Sequence, residues 1–182
     1  MLQYIWLLIA ALLVGLDRLT KYIVSANMEL QDTIHIIKIG DTEVLNVYYC
    51  LNSGAAFSKL QGHKWFLIAI TSAVILVLLY AMIFKKVKRP VYVASVGLIL
   101  SGGIGNLIDR IFNDGLVVDF IDFRLINFPI FNVADICAVC GAGLLFIIVL
   151  VDEIKAHKKK KAQIAEGADG EGNGENGDEG QN

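Results

Sequence analysis

The sequence predicts an all-α membrane protein: a bundle of four transmembrane helices with a small extracytoplasmic β-sheet, both termini in the cytoplasm. Three observations predict it. The chain is 55% hydrophobic and only 19% charged, against roughly a quarter charged in an ordinary soluble domain. Its apolar residues gather in four stretches, 4–24, 65–84, 91–108 and 133–151, each near the ~20 helical residues that cross a ~30 Å hydrocarbon core. Its lysines and arginines concentrate in short runs beside those stretches. Helices are the spanning form because lipid offers a backbone N–H or C=O no partner.

The first stretch, 4–24, lacks a basic start and an A-x-A-like cleavage site, so it reads as a retained span rather than a signal peptide. "KKVKRP" (Lys85–Pro90) separates the second and third stretches, and "KAHKKKK" (Lys155–Lys161) follows the fourth. Short basic segments beside spans stay in the cytoplasm. Both runs agree with a cytoplasmic N-terminus. Arg18 and Lys21, near the outer end of the first span, oppose it locally and are outnumbered. Residues 25–64 and 109–132 then lie outside.

Within the first outer segment, "TIHIIKI" and "EVLNVYYCL" flank a Gly-Asp turn and predict a β-hairpin over about 33–52. Trp65, Tyr48 and Tyr49 suit the membrane–water boundary. Residues 1–154 make up the membrane domain. Residues 155–182, basic and then acidic and Gly-rich, have little to bury and are expected to be a disordered cytoplasmic tail. Cys50, Cys137 and Cys140 form no disulfide framework or metal set and read as small packing residues. "SGGIG" (Ser101–Gly105) follows no strand, so it marks close helix packing rather than a nucleotide loop.

Polar residues from separate spans converge at one depth, near the outer end. Asp17 and Lys21 share a helical face. Gly102, Asn106 and Asp109 lie on one stripe, with Arg110 beside them, and Asn132 and Asp135 open the fourth span. Asp119 lies in the connection between the third and fourth spans, and "LNSGAAF" (Leu51–Phe57) leads from the hairpin back toward the membrane. Ionisable groups within spans cost about 2.5–3.5 kcal/mol each on insertion scales, so a cluster of them points to a site. Each also has a structural reading: Asp17–Lys21 as a helix-end ion pair, Asp109–Arg110 as interfacial anchors, Asn132 and Asp135 as an N-cap and its acidic third residue. Asp122, His35 and His63 read as water-facing.

No Ser–His–Asp set is present, and the carboxylates lack metal-ligand spacing. Two carboxylates sharing a site cannot both ionise easily, so one keeps a proton. The charged one can then draw a proton from water while the neutral one polarises a carbonyl. Asn52, Asn106, Arg110 and Asn132 could orient such a pair. An ion-coupled membrane transporter and a non-enzymatic membrane assembly protein are the alternatives.

"DRLTK" (Asp17–Lys21), "NSGAAF" (Asn52–Phe57), "GGIGNLIDR" (Gly102–Arg110), "VVDF" (Val117–Phe120) and "FNVAD" (Phe131–Asp135) resemble, in order, the motif blocks of bacterial lipoprotein signal peptidase, or signal peptidase II. The resemblance covers about residues 10–150. It implies a four-span aspartic peptidase of the bacterial inner (plasma) membrane, active near the outer leaflet. Its substrates are diacylglyceryl-modified prolipoproteins, cut just before the lipidated cysteine. By resemblance, Asp119 and Asp135 are the catalytic dyad. Asp17, Lys21, Asn52, Gly54, Asn106, Asp109, Arg110, Asn132 and Ala134 match motif positions that support the site or bind substrate. Arg18 departs from the family, which often has Gln there. The expected partners are the precursor signal peptides and membrane lipid, with no metal, cofactor or nucleic acid, and the chain is expected to be a monomer. Asp135, in the first turn of its helix, is expected to be the ionised member, leaving the shared proton mainly on Asp119.

Overall fold

The computed structural model describes residues 1–54, 64–126 and 128–171. Helix α1 (Leu2–Asn27) leads into strands β1 (Thr33–Ile39) and β2 (Thr42–Asn52); helices α2 (Lys64–Ile83) and α3 (Pro90–Phe112) follow. Strand β3 (Val117–Phe123), a 3-10 turn (Arg124–Ile126) and helix α4 (Val133–Glu171) complete the order. The protein is mostly helical with one three-stranded sheet, as the sequence predicts at that level. Among the described residues, three helical lengths are long and apolar enough to cross a membrane: Lys64–Ile83, Pro90–Phe112 and Val133–Lys161.

α1 has the length, 26 residues, but carries Asp17, Arg18 and Lys21. Helical periodicity sorts its two faces. Ala10, Asp17, Lys21 and Val24 are buried, while Leu8, Leu12, Leu16 and Leu19 are exposed. α3 begins with Pro90 in its first turn, where a missing N–H costs nothing. It ends with Asp114 in the left-handed region (φ 51°) and the Gly115 N–H bonded to the Arg110 carbonyl at 3.0 Å.

Ile75, Met82, Val93, Val96 and Leu100 form one core between α2 and α3, and Leu2, Trp6 and Leu7 of α1 pack against it. α3 meets the early turns of α4 backbone to backbone at Gly102, and again at Gly141. Small residues permit such approaches in membrane helices.

The predicted hairpin is present. Gly40, at φ 60°, occupies the first position of the two-residue turn between β1 and β2. β3 is an addition to the sequence expectation, which treats 109–132 as a plain connection. It pairs antiparallel with β2, Cys50 facing Asp119 and Asn52 facing Val117. Phe131 then returns along β3, exchanging backbone hydrogen bonds with Ile121 at 3.1 and 2.8 Å. That return delivers Asn132 and the start of α4 to β3. A second core, Val24, Val118 and Phe120 with Tyr49, Leu51 and Val133, packs the sheet against the end of α1.

Where a disordered tail from residue 155 is expected, α4 continues to Glu171. The Lys- and Ala-rich segment 155–162 is built of good helix formers, so the helix need not stop where the apolar run does. Residues 172–182, Ala55–Phe57 of the second motif block and His63 lie outside the described residues. The chain divides into two compact units, Met1–Leu145 and Phe146–Asn182, and the polar cluster lies within the first. The three cysteines are free; Cys140 is exposed rather than packed.

Candidate active site

The start of α4 organises the site. The Asp135 N–H donates to Asn132 Oδ1 at 3.0 Å, and the Asn132 N–H donates to Asp135 Oδ2 at 3.1 Å. This reciprocal cap satisfies two helix-end donors, so the structural reading of Asn132 and Asp135 holds. It is not their whole role. With its carbonyl oxygen committed to the cap, Asn132 turns its amide nitrogen toward Asp119 Oδ1 (2.6 Å), Asn106 Oδ1 (3.0 Å) and the Val118 carbonyl (3.2 Å). One residue therefore hydrogen-bonds both carboxylates, one from β3 and one from α4.

Asp119 is held from its other side by β2. Asn52 Nδ2 donates to Asp119 Oδ2 at 2.9 Å, and the Gly54 N–H donates to Asn52 Oδ1 at 3.0 Å. The register makes Asn52 and Asp119 diagonal cross-strand neighbours, within reach of a short amide. Asn106 of α3 donates from Nδ2 to Asp135 Oδ1 at 2.7 Å. Each carboxylate thus accepts two N–H donors.

The two carboxylates differ in environment. Asp119 is only 2% exposed, whereas Asp135 is half-buried. Burial pushes the Asp119 carboxyl up to about 6; the nearby Asp135 charge adds to this, while the amides of Asn52 and Asn132 and the Lys21 charge oppose it. The Cys50 thiol, facing Asp119 across the strands, is pushed up to about 11 by burial and by the Asp119 and Asp122 charges. That favours the neutral thiol of Cys50 over the thiolate. The Arg110 guanidinium bonds the Asn106 carbonyl at 3.3 Å and lies in the fields of Asp135, Asp119 and Asp109.

Beneath the pair lies a buried ion cluster. The Lys21 ammonium reaches Asp17 Oδ2 (2.9 Å), Asp109 Oδ2 (2.8 Å) and Asn106 Oδ1 (3.0 Å). Asp17 Oδ1 accepts the Ala134 N–H at 2.9 Å, and Asp109 accepts the Val118 N–H at 3.2 Å and pairs with Arg18. The Asp17–Lys21 helix-end pair is real, but it belongs to a network tying α1 and α3 to the backbone of β3 and α4. Ala134 must be small there, since Gly105 and Asp17 crowd it.

Asp122 corrects the sequence expectation. It is buried rather than water-facing, paired across the strands with buried Asn46 and bound by Arg124 Nε at 2.5 Å. The β3–β2 pairing, invisible in a local pattern, turns it inward. His35 is exposed as expected, and its Nδ1 meets Asn46 Oδ1 at 3.1 Å. A cavity of about 240 Å³, lined by Phe128, Phe131, Asp135, Ile136, Val139 and Cys140, opens beside Asp135.

A family model described as signal peptidase (SPase) II matches residues 9–151. The chain belongs to the signal peptidase II family. The lipoprotein signal peptidase of Brevibacillus brevis is 42% identical over 145 residues, covering 80% of this chain and 94% of that one. That of Enterococcus faecalis is 40% identical over 159 residues, 87% of this chain and 96% of that one. A bacterial membrane enzyme solved in meso at 2.3 Å superposes with a TM-score of 0.74 at 35% identity, covering 81% of this chain and 88% of the other. Another, solved in meso at 1.9 Å, gives 0.70 at 35% identity, with 80% and 92% covered. As a signal peptidase II family member the chain is a peptidase and a membrane protein, and nothing in its relatives favours a transporter or an assembly protein.

Proposed function

We propose that this chain is a membrane aspartic endopeptidase that cuts diacylglyceryl-modified prolipoproteins before the lipidated cysteine, with Asp119 and Asp135 as its dyad. One observation carries the reading: two carboxylates from different elements are hydrogen-bonded by a single residue, Asn132, and one of them is buried with its carboxyl raised. The roles follow. Asp135, at a helix N-terminus with two N–H donors, is the ionised base. Asp119, buried in β3, holds the proton. Asp135 takes a proton from the attacking water as the hydroxide oxygen bonds the scissile carbonyl carbon. Asp119 gives its proton to the carbonyl oxygen. Collapse of the tetrahedral species breaks the C–N bond, and the proton on Asp135 passes to the leaving amine. The proton released as the carbonyl re-forms returns to Asp119.

Asn52, held by Gly54, and Asn132 orient Asp119; Asn106 orients Asp135; Arg110 supplies positive charge near both. Asp17, Lys21, Asp109 and Ala134 fix the elements that carry them. Every group comes from one chain, so the proposal needs only a monomer.

In the same reading α1 is a fourth span, with Leu8, Leu12, Leu16 and Leu19 toward lipid and its charges toward the site. Both termini are cytoplasmic by the basic runs at Lys85–Pro90 and Lys155–Lys161. The dyad then sits near the outer leaflet of the bacterial inner membrane, where a lipid-anchored precursor presents its scissile bond. The apolar cavity beside Asp135 suits a substrate bearing acyl chains.

The test is to incubate purified protein with a diacylglyceryl-modified precursor and with its unmodified counterpart, reading products by mass spectrometry. Cleavage before the cysteine in the lipidated precursor alone is expected; equal cutting of both would overturn the substrate assignment. A pH profile tests the proton roles. Because Asp119 must be protonated and its carboxyl sits at about 6, kcat/KM is expected to fall as pH rises past that value, about tenfold per unit. A rate that instead rises through that range would contradict the assignment of the acid.

A further inference from the structure

We propose that Lys21 is a positioning residue that fixes which way the Asn106 amide faces, and thereby which member of the dyad carries the charge. The inference rests on the dyad assignment above and goes beyond it.

An asparagine amide has an accepting end and a donating end of nearly equal shape, so its sense is set by its partners. Three asparagines contact the dyad, and each is set by a group that can only donate. The Gly54 N–H takes the Asn52 oxygen, leaving its nitrogen for Asp119. The Asp135 N–H takes the Asn132 oxygen, leaving its nitrogen for Asp119 and Asn106. Backbone does the work in both cases. The Asn106 amide is held by side chains instead: its oxygen accepts from Lys21 Nζ at 3.0 Å and from Asn132 Nδ2 at 3.0 Å. Asn132 offers two hydrogens to three acceptors, so its hold on Asn106 is divided. An ammonium cannot accept, so Lys21 forces the Asn106 oxygen toward itself and the nitrogen toward Asp135 Oδ1 at 2.7 Å.

Lys21 is itself held in place. It is 1% exposed, hydrogen-bonded to Asn106 Oδ1 and ion-paired with Asp17 and Asp109. The chain of donation therefore has one direction, Lys21 to Asn106 to Asp135, and it ends on the carboxylate assigned as the base. With the amide reversed, its oxygen would face Asp135 Oδ1, two acceptors in contact. The relief is to protonate Asp135, which disables the base. The charged groups around the pair are Asp17, Arg18 and Lys21 from α1, Asp109 and Arg110 from α3, and Asp119 from β3, with the neutral Cys50 thiol from β2.

The experiment measures kcat/KM against pH for Lys21→Met, Asn106→Leu and the double variant, with melting temperatures. Asn106→Leu leaves every charge in place, so it separates the amide from the field of Lys21. Loss of Lys21 is expected to move the acidic limb up by about one unit or more and to lower the plateau by about tenfold or more. Asn106→Leu should move the limb in the same direction, and the double variant should be no worse than Asn106→Leu alone, because the two residues act in series. A folded Lys21→Met enzyme with the wild-type limb overturns the inference, as do single effects that multiply in the double variant. Should Lys21→Met not fold, an unmoved limb in Asn106→Leu overturns it equally. If Asp119→Asn and Asp135→Asn still cleave, the dyad reading itself fails; if they are inactive and the limbs stay put, only the role of Lys21 falls.

Discussion

Replacing either Asp119 or Asp135 by Asn is expected to abolish cleavage and leave a folded, membrane-inserted protein. In Asp135→Asn, the new amide can keep the Asn132 N–H on its oxygen, but its nitrogen then meets the Asn106 nitrogen. In Asp119→Asn, donors stand on both sides, Asn52 and Asn132, and only one can be kept. Each variant leaves one N–H donor without its acceptor, at about 1–3 kcal/mol, less than the ~5–15 kcal/mol that holds a typical domain folded. The chemical step loses its base or its acid, about 10²–10⁴-fold or more. Because the pair works as a unit, the double variant should be hardly worse than either single one. Cleavage of a lipidated precursor and thermal melting, measured on the same preparations, check both halves. Substantial turnover by folded Asp135→Asn enzyme would remove Asp135 from the mechanism.

The second large effect is expected at Gly102, one helical turn before Asn106 in α3. A Cβ there would lie 2.3 Å from the Ala134 carbonyl oxygen, 2.7 Å from the Ala138 nitrogen and 2.8 Å from the Ala138 Cβ. Two of those atoms are α4 backbone, which cannot step aside as a side chain can. Gly102→Ala must therefore push the start of α4 away from α3, at a cost of about 1–3 kcal/mol or more. Asn106 and Asp135 face each other across the same seam, one helical turn further along. A displacement of about 1 Å there is enough to lose on the order of 10²-fold in rate. Gly143 is the control, since a Cβ on it meets nothing within 4 Å. Gly102→Ala should lower both melting temperature and kcat while Gly143→Ala leaves both near wild type; equal behaviour of the two would show that the seam is not tight.

Much of this was legible in the chain because lipid imposes a length. Apolar runs near twenty residues announce helices, and α2 and α3 start within one residue of the predicted positions. The hairpin was legible because β-branched residues flank a Gly-Asp turn. β3 was not, since "VVDFIDF" is interrupted by two carboxylates and becomes a strand only by pairing with β2 and with the returning Phe131. The same pairing turns Asp122 inward. Helical spacing placed Asp17 beside Lys21, but nothing local could show that Asp17 accepts the N–H of Ala134, 117 residues away. The cap at Asn132 was legible; that its free amide end reaches Asp119 was not, because that contact depends on where β3 lies.

The most direct measurement of the central claim is the infrared carboxyl signature of the dyad as a function of pH, in protein carrying ¹³C-labelled aspartate. A protonated-carboxyl band is expected below about pH 6, in line with the raised Asp119 group, fading as pH rises. It should be absent from Asp119→Asn and retained in Asp135→Asn, there fading at lower pH because the neighbouring charge is gone. A band that survives in Asp119→Asn and vanishes in Asp135→Asn would contradict the proton placement, and no such band at any pH where the enzyme cleaves would contradict a shared proton altogether.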